Sequence, residues 1–280
     1  MKWKSLVVDL LPPILLRALK PARPKRVVSQ VAVHTVTGGP LKGRRIKVDA
    51  HRPAFREMVE GSYDPYIWEV VPKELPAGVI LDVGAHIGYH SMAFAALYPG
   101  CEVIAFEPNP ANLERLQAML ELEPELAERI KVLPIALSDS AGEMEFEAST
   151  NVDDQTSSGG YLGSVKPPLE TAVYERAGFT TSKVLCERLD DLVEREGWRA
   201  VHLMKIDVEG AEALVLQGAR GLLQRDHPHL LIEIHSAARM MEVMKLLQPM
   251  GYAIDLLHED RPGRCFIQAV HANGLTTAAV

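Results

Sequence analysis

The stretch Val79-Ile80-Leu81-Asp82-Val83-Gly84-Ala85-His86-Ile87-Gly88 sets the fold class. A short apolar run bounded by glycine reads as a buried strand. Glycine allows a sharp turn and a close approach of backbone to ligand. The following residues, 87–98, read as a helix whose first N–H groups lack intrahelical partners and can face that ligand.

Working outward, the alternation repeats. Residues 102–106 read as a second buried strand, and Pro110 opens a helix to residue 122 with Asn109 as its N-cap. Residues 130–137 read as a third strand and 143–147 as a short extra one. Helices are expected at 189–196, 211–224 and 237–248. Strands are expected at 201–206 and 230–234, and 252–257 with 265–270 form a closing hairpin. Upstream, 26–49 read as short strands about Gly38-Gly39-Pro40, and 53–75 as helical with breaks at Pro65 and Pro72. Strands alternating with helices imply an α/β class: a doubly wound, Rossmann-like parallel sheet with ligands beyond the strands' carboxyl ends. The expected organisation is an N-terminal extension over 1–75 and a main domain over 76–280. Residues 148–182 break the alternation and are expected to form an insertion that covers the acceptor, with Ser158 and Tyr161 as contacts.

The bulk properties exclude some classes. The chain has 280 residues, 47% hydrophobic and 24% charged, ordinary for a globular protein. A net charge of -7 argues against general nucleic-acid binding. Cys101, Cys186 and Cys265 are far apart and show no metal-ligand spacing, so reduced thiols in the cytoplasm are expected. Lys2 and Lys4 precede an apolar run over 6–19, but Asp9 and Pro12-Pro13 interrupt it, which disfavours a signal peptide. The basic segment 1–26 is expected to pack on the domain or on a second subunit; peripheral membrane contact is the alternative. Both a homo-oligomer and a membrane-peripheral location therefore stay open.

Glu107 carries more chemistry than the turn. It ends the second strand about 20 residues beyond the loop, where a carboxylate can accept from ribose hydroxyls. The same positions would serve NAD in an oxidoreductase. However, the loop lacks the G-x-G-x-x-G spacing, and the chain ends in a helix-strand-strand unit rather than a second mononucleotide half. Both features favour S-adenosyl-L-methionine. A non-catalytic protein binding that cofactor is a further alternative.

Five segments together resemble the FkbM family of methyltransferases. They are Leu81-Asp82-Val83-Gly84-Ala85-His86-Ile87-Gly88-Tyr89, Phe106-Glu107-Pro108-Asn109-Pro110, Ala136-Leu137-Ser138-Asp139, Leu189-Asp190-Asp191-Leu192, and Met204-Lys205-Ile206-Asp207-Val208-Glu209-Gly210-Ala211-Glu212. The resemblance covers residues 60–260, and the position of His86 is often Asn in the family. It implies a class I methyltransferase sheet of seven strands with the last antiparallel. It also implies methyl transfer to oxygen, typically a hydroxyl of a sugar, glycolipid or natural product. By position, Asp82, Gly84, Ala85, His86 and Gly88 are expected at the cofactor's methionine part, with Asp207 nearby. Glu107 is expected at the ribose, Pro108 and Asn109 beside the adenine, and Ala136, Leu137 and Ser138 flanking it. Tyr63 lies where the family often has an aromatic residue and is expected to contact the cofactor.

The acceptor side follows from strand geometry. Lys205, Asp207 and Glu209 share a face by period two, as do Glu233 and His235. Asp207 or His235 is the expected general base, with Glu209 and Glu233 orienting the acceptor. A divalent cation is the rival reading of these carboxylates, but no diagnostic spacing supports it, and no metal is expected. Glu212 is expected only to stabilise its helix start.

Overall fold

A computed structural model describes residues 30–149, 160–165, 179–261 and 264–274. The chain begins with a hairpin, β1 (Ala32–Thr35) and β2 (Arg45–Val48), followed by α1 (Pro53–Glu60) and α2 (Pro65–Val70). Next come β3 (Gly78–Val83), α3 (Tyr89–Leu97), β4 (Cys101–Phe106), α4 (Pro110–Leu120), α5 (Pro124–Ala127) and β5 (Ile130–Leu133). Four strands or strand pieces follow: β6 (Ala136–Leu137), β7 (Gly142–Ser149), β8 (Tyr161–Leu162) and β9 (Phe179–Glu187). The rest is α6 (Leu189–Glu196), β10 (Val201–Ile206), α7 (Glu212–Gly218), α8 (Arg220–Asp226), β11 (His229–Ile234), α9 (Ala237–Leu247), β12 (Tyr252–Arg261) and β13 (Arg264–His271).

The main sheet has the order β12-β13-β11-β10-β3-β4-β5. Strands β11, β10, β3, β4 and β5 run parallel, and β13 enters antiparallel against β11. This is the doubly wound sheet expected from the alternation. Its order reverses between β3 and β10, so their carboxyl ends flank the crevice where ligands bind in open α/β sheets. Buried side chains alternate between two cores. Leu81, Val83, Met204 and Ile206 face one, with α6 to α9. Ile80 and Leu203 face the other, with α3 and α4.

Three expectations need correction. Residues 130–137 are not one strand. Pro134 has no N–H to give a ladder, and the chain leaves the main sheet after Leu133; Ala136 and Leu137 then pair with Cys186 and Glu187 of β9. Nor is 148–182 simply an irregular lid. β7 pairs antiparallel with β9 from Gly142↔Cys186 to Ser149↔Phe179, giving a second sheet in the order β6-β9-β7-β8. Finally, residue 75 does not mark a boundary in packing. Val36, Leu41, Ile46, Phe55 and Ile67 share one buried cluster with Ile80, Phe94 and Val103. The expected membrane or subunit contact of residues 1–26 and the Ser158 contact lie outside the described residues. Among those described, no helix is long and apolar enough to cross a membrane.

Candidate active site

The carboxyl ends of β3, β4, β10 and β11 open into one cavity of ≈ 470 Å³, within the rough 300–1,000 Å³ range of small-molecule sites. Gly84, His86, Glu107, Pro108, Asp207, Glu209 and Glu233 line it. The turn after β3 explains its glycine. Gly84 has φ +81°, and a Cβ there would lie 1.8 Å from the carbonyl oxygen of Asp207. Only glycine lets the two strand ends approach this closely.

His86 also sits at positive φ, 52°. Asn, Asp and His tolerate that region better than other side chains. Its N–H donates to Glu107 Oε2 at 2.8 Å. Its ring lines the cavity, and Nε2 is buried without a hydrogen-bond partner. Burial holds the His86 pKa down at about 4.

Glu107 is 4% exposed. Oε1 accepts from the Asn109 N–H at 2.8 Å and from Asn112 Nδ2 at 3.3 Å. Burial nevertheless dominates and pushes the carboxyl up to about 7, against those donors. Ile135, Ala136 and Leu137 add an apolar wall next to Pro108. Thus one end of the cavity joins a buried carboxyl group to an apolar slot.

Several expected residues stand behind the wall instead of on it. Asp82 is fully buried; it accepts from Ser91 Oγ at 2.6 Å and lies 3.3 Å from Lys205 Nζ. Asp82 and Lys205 are register partners on β3 and β10, which is why the ion pair forms there. Lys205 Nζ also donates to the Gly84 carbonyl at 3.1 Å. Ala85 is buried, and its N–H donates to the Phe106 carbonyl. Gly88 sits at φ +84° against Leu116, serving the packing of α3 on α4. Asn109 caps α4 by accepting from the Ala111 N–H at 3.1 Å. Ser138 is buried, and its N–H donates to the Glu187 carbonyl. Tyr161 is buried as well, its hydroxyl on Glu147 Oε2 at 2.9 Å, and it does not line the cavity.

The other end of the cavity is charged. Asp207 follows β10, and the left-handed turn at Glu209 (φ 50°) and Gly210 brings the Glu209 carboxylate back towards it. His235 Nε2 lies 3.2 Å from Glu209 Oε2, 3.6 Å from Glu233 Oε1 and 3.8 Å from Asp207 Oδ1. His235 Nδ1 meets Glu212 Oε1 at 2.6 Å, and the same oxygen accepts from the Gly210 N–H. Glu212 therefore does more than favour a helix start: it fixes the imidazole. Burial would lower the His235 pKa, but Glu209, Glu212 and Glu233 outweigh it and raise it to about 10. Burial would raise Asp207, but Lys205, His235 and Arg264 hold it at about 2. Glu233 is pushed up to about 9 by burial and then by Asp207.

Sequence reasoning missed further wall residues. Arg52, Phe55 and Met58 come from the segment around α1, and Phe146 and Leu162 from the second sheet. No local pattern marks them as site residues. Arg264, which donates to Glu233, had a signal. It lies two residues before Phe266, the register partner of Glu233, and so on the same face of the sheet. Tyr63 is on the cavity wall, its ring edge-on to Tyr89 at 5.5 Å and its carbonyl accepting from Trp68 Nε1 at 3.0 Å.

Comparison with known proteins fits this site. A family profile described as "Methyltransferase FkbM domain" matches residues 82–254. The chain belongs to the FkbM methyltransferase family. The 2-O-methyltransferase NoeI of Sinorhizobium fredii is 30% identical over 179 residues, 61% of this chain and 72% of NoeI. The 31-O-demethyl-FK506 methyltransferase FkbM of Streptomyces tacrolimicus is 31% identical, with 64% of this chain and 74% of that protein covered. The hexuronic acid methyltransferase AglP of Haloferax volcanii is 31% identical, with 60% and 61% covered. A crystal structure of an FkbM methyltransferase from Methylobacillus flagellatus shares the fold at a TM-score of 0.51 and 20% identity; the match covers 71% of this chain and 45% of that one.

This FkbM methyltransferase is thus an enzyme, and S-adenosyl-L-methionine is its cofactor. The cavity suits that molecule. A nucleoside needs an acceptor for its ribose hydroxyls and an apolar slot for its base; Glu107 and the wall of Pro108, Ala136 and Leu137 offer both. His86 lines the same cavity, and its Nε2 is buried without a hydrogen-bond partner.

Proposed function

We propose that this enzyme moves a methyl group from S-adenosyl-L-methionine to a hydroxyl of a sugar, glycolipid or polyketide-like natural product. The observation that carries this reading is one cavity with two unlike ends, Glu107 beside an apolar slot and the carboxyl groups of Asp207, Glu209 and Glu233 across from it, with His235 in contact with them but not on the cavity wall. The names of NoeI and of the 31-O-demethyl-FK506 enzyme support an oxygen acceptor, and that of AglP supports a sugar.

In this reading Glu107 accepts from the ribose hydroxyls and His86 Nε2 adds a polar contact. Pro108, Ala136 and Leu137 flank the adenine. Gly84 leaves room for close approach of the methionine part, and Tyr63 closes that side. When bound, the cofactor supplies a methyl group on a sulfonium, an electrophile strong enough that alignment does much of the catalysis. The acceptor proton goes to Glu209. Asp207 is already engaged by Lys205, and His235 by Glu212, whereas Glu209 lines the cavity with His235 as its ion-pair partner. Glu233, steadied by Arg264, orients a second hydroxyl of the acceptor.

The test is calorimetric titration with S-adenosylhomocysteine, followed by transfer of labelled methyl to a panel of sugar and polyketide hydroxyls. Micromolar binding and labelled ether product are expected. Tight binding of NAD without binding of S-adenosylhomocysteine would sink the reading.

A further inference from the structure

We propose that Asp207, Glu233 and His235 form a binding site for one divalent cation of the Mn²⁺ or Zn²⁺ type, at the acceptor end of the cavity. The binding claim stands on its own. What the cation does for an acceptor hydroxyl rests on the function proposed above.

The first ground is spacing. One ligand atom from each of the three residues lies within 4.8 Å of the others. His235 Nε2 is 3.6 Å from Glu233 Oε1 and 3.8 Å from Asp207 Oδ1. Around an ion with bonds of about 2.1 Å, ligand atoms lie about 3.0 to 4.2 Å apart, depending on whether they are adjacent or opposite. Glu233 lies on β11, and Asp207 and His235 directly follow β10 and β11, which are adjacent and parallel, so the sheet sets the separation.

The second ground is the imidazole. Its side chain is 10% exposed, and Nε2 is buried, faces the carboxylates and makes no hydrogen bond. Nδ1 is held by the fully buried Glu212 at 2.6 Å. A histidine that ligates a metal through one nitrogen commonly donates its other N–H to a carboxylate, which fixes the tautomer and ring angle. With Nδ1 held by Glu212, Nε2 faces the oxygens of Glu209, Glu233 and Asp207, and a bound ion takes the place of the Nε2 proton that otherwise pairs with them.

The third ground is charge. Asp207, Glu209, Glu212 and Glu233 bring four acidic groups to this end of the cavity, met by Arg264, His235 and Lys205, the last shared with Asp82. Acidic groups still outnumber basic ones, and since buried charge without compensation is costly, a dication fits there. Asp207 and Glu233 also line the cavity, so an ion there is reachable by an acceptor. One imidazole with two carboxylates suits a borderline first-row ion better than magnesium alone. Such an ion would polarise a bound hydroxyl and ease loss of its proton.

The test uses the full chain, stripped with a chelator, without any methyl acceptor. Mn²⁺ is titrated and followed by electron paramagnetic resonance. One ion per chain is expected, with Kd below about 100 µM. Pulsed spectra should show coupling to one ¹⁴N, lost in His235→Gln. Glu233→Gln should abolish stoichiometric binding. Glu212→Gln should weaken it about 10- to 100-fold, as loss of an outer-shell partner does. Titration of each variant with S-adenosylhomocysteine checks that the donor half still folds. A wild-type Kd above about 100 µM, or binding unchanged in Glu233→Gln and His235→Gln, overturns the proposal. S-adenosylhomocysteine binding without Mn²⁺ binding refutes the cation site alone. Mn²⁺ binding without S-adenosylhomocysteine binding supports the cation site and refutes the proposed function.

Discussion

Replacing Glu107 with Gln tests the donor half of the site most directly. The carboxylate accepts from three protein donors, the N–H of His86, the N–H of Asn109 and Asn112 Nδ2. Gln is nearly isosteric, but one end of its amide is a donor. Whichever way it turns, its NH₂ faces either the His86 or the Asn109 N–H. The amide also loses the charge that strengthens any bond from a ribose hydroxyl. A hydrogen bond to a charged group contributes about 1.5–3 kcal/mol, so losing one or two of them should weaken S-adenosylhomocysteine binding about 100-fold. The assay is calorimetry at pH 8, with a thermal melt to show that the variant is folded. The wild type should also lose affinity about tenfold between pH 8 and pH 6, because the ionised fraction of a carboxyl with a pKa near 7 falls by about that factor. Glu107→Gln should show no such dependence on Glu107. A Kd within about threefold of wild type at pH 8 would refute the assignment of Glu107 to the ribose.

Four further outcomes are expected. Binding at pH 6 should release a proton, since ribose hydroxyls favour the ionised Glu107 and lower its pKa; titrations in two buffers of different ionisation enthalpy will read this, and proton uptake would contradict it. The sign for stability follows from the same raised pKa. With the folded pKa near 7 and the ordinary value at 4.5, the unliganded protein should lose stability as pH rises through that window, by about 3 kcal/mol at most, measured by urea unfolding. Gly84→Ala should cost about 3 kcal/mol or more, because a positive φ and a carbonyl 1.8 Å from the new Cβ both oppose it; a melting point within about 2 °C of wild type would argue against the close strand approach. Lys205→Met should leave the buried Asp82 without its cation and cost about 3–5 kcal/mol, near 10 °C in melting temperature. Adding Asp82→Asn should recover part of that loss, and no recovery would mean that the ion pair is not the cause.

The parallel core was legible because each strand is a compact apolar run between helices with clear starts, such as Pro110 behind Asn109. The second sheet was not. Its strand β9 pairs with β7 across a long excursion of chain, and only that pairing shows that Thr180 to Glu187 is extended. Pro134 was in view, yet residues on either side of it are apolar, so periodicity ran them together. The N-terminal contribution to the cavity was hidden for a related reason. Phe55 and Met58 read as ordinary core positions of a short helix.

The amino-acid order alone determined the donor turn, Glu107 at its set distance and the family, since these depend on local spacing along the chain. Tertiary structure decided which motif residues meet a ligand. Asp82, Asn109 and Ser138 belong to the same motifs as Gly84, Glu107 and Leu137, but face away from the cavity into ion-pair, cap and backbone roles. It also decided the acceptor end. Glu212 and His235 are far apart in sequence and come together only because β10 and β11 lie side by side. A hydrogen bond depends on distance and angle in space, and strand register supplies those where residue order does not.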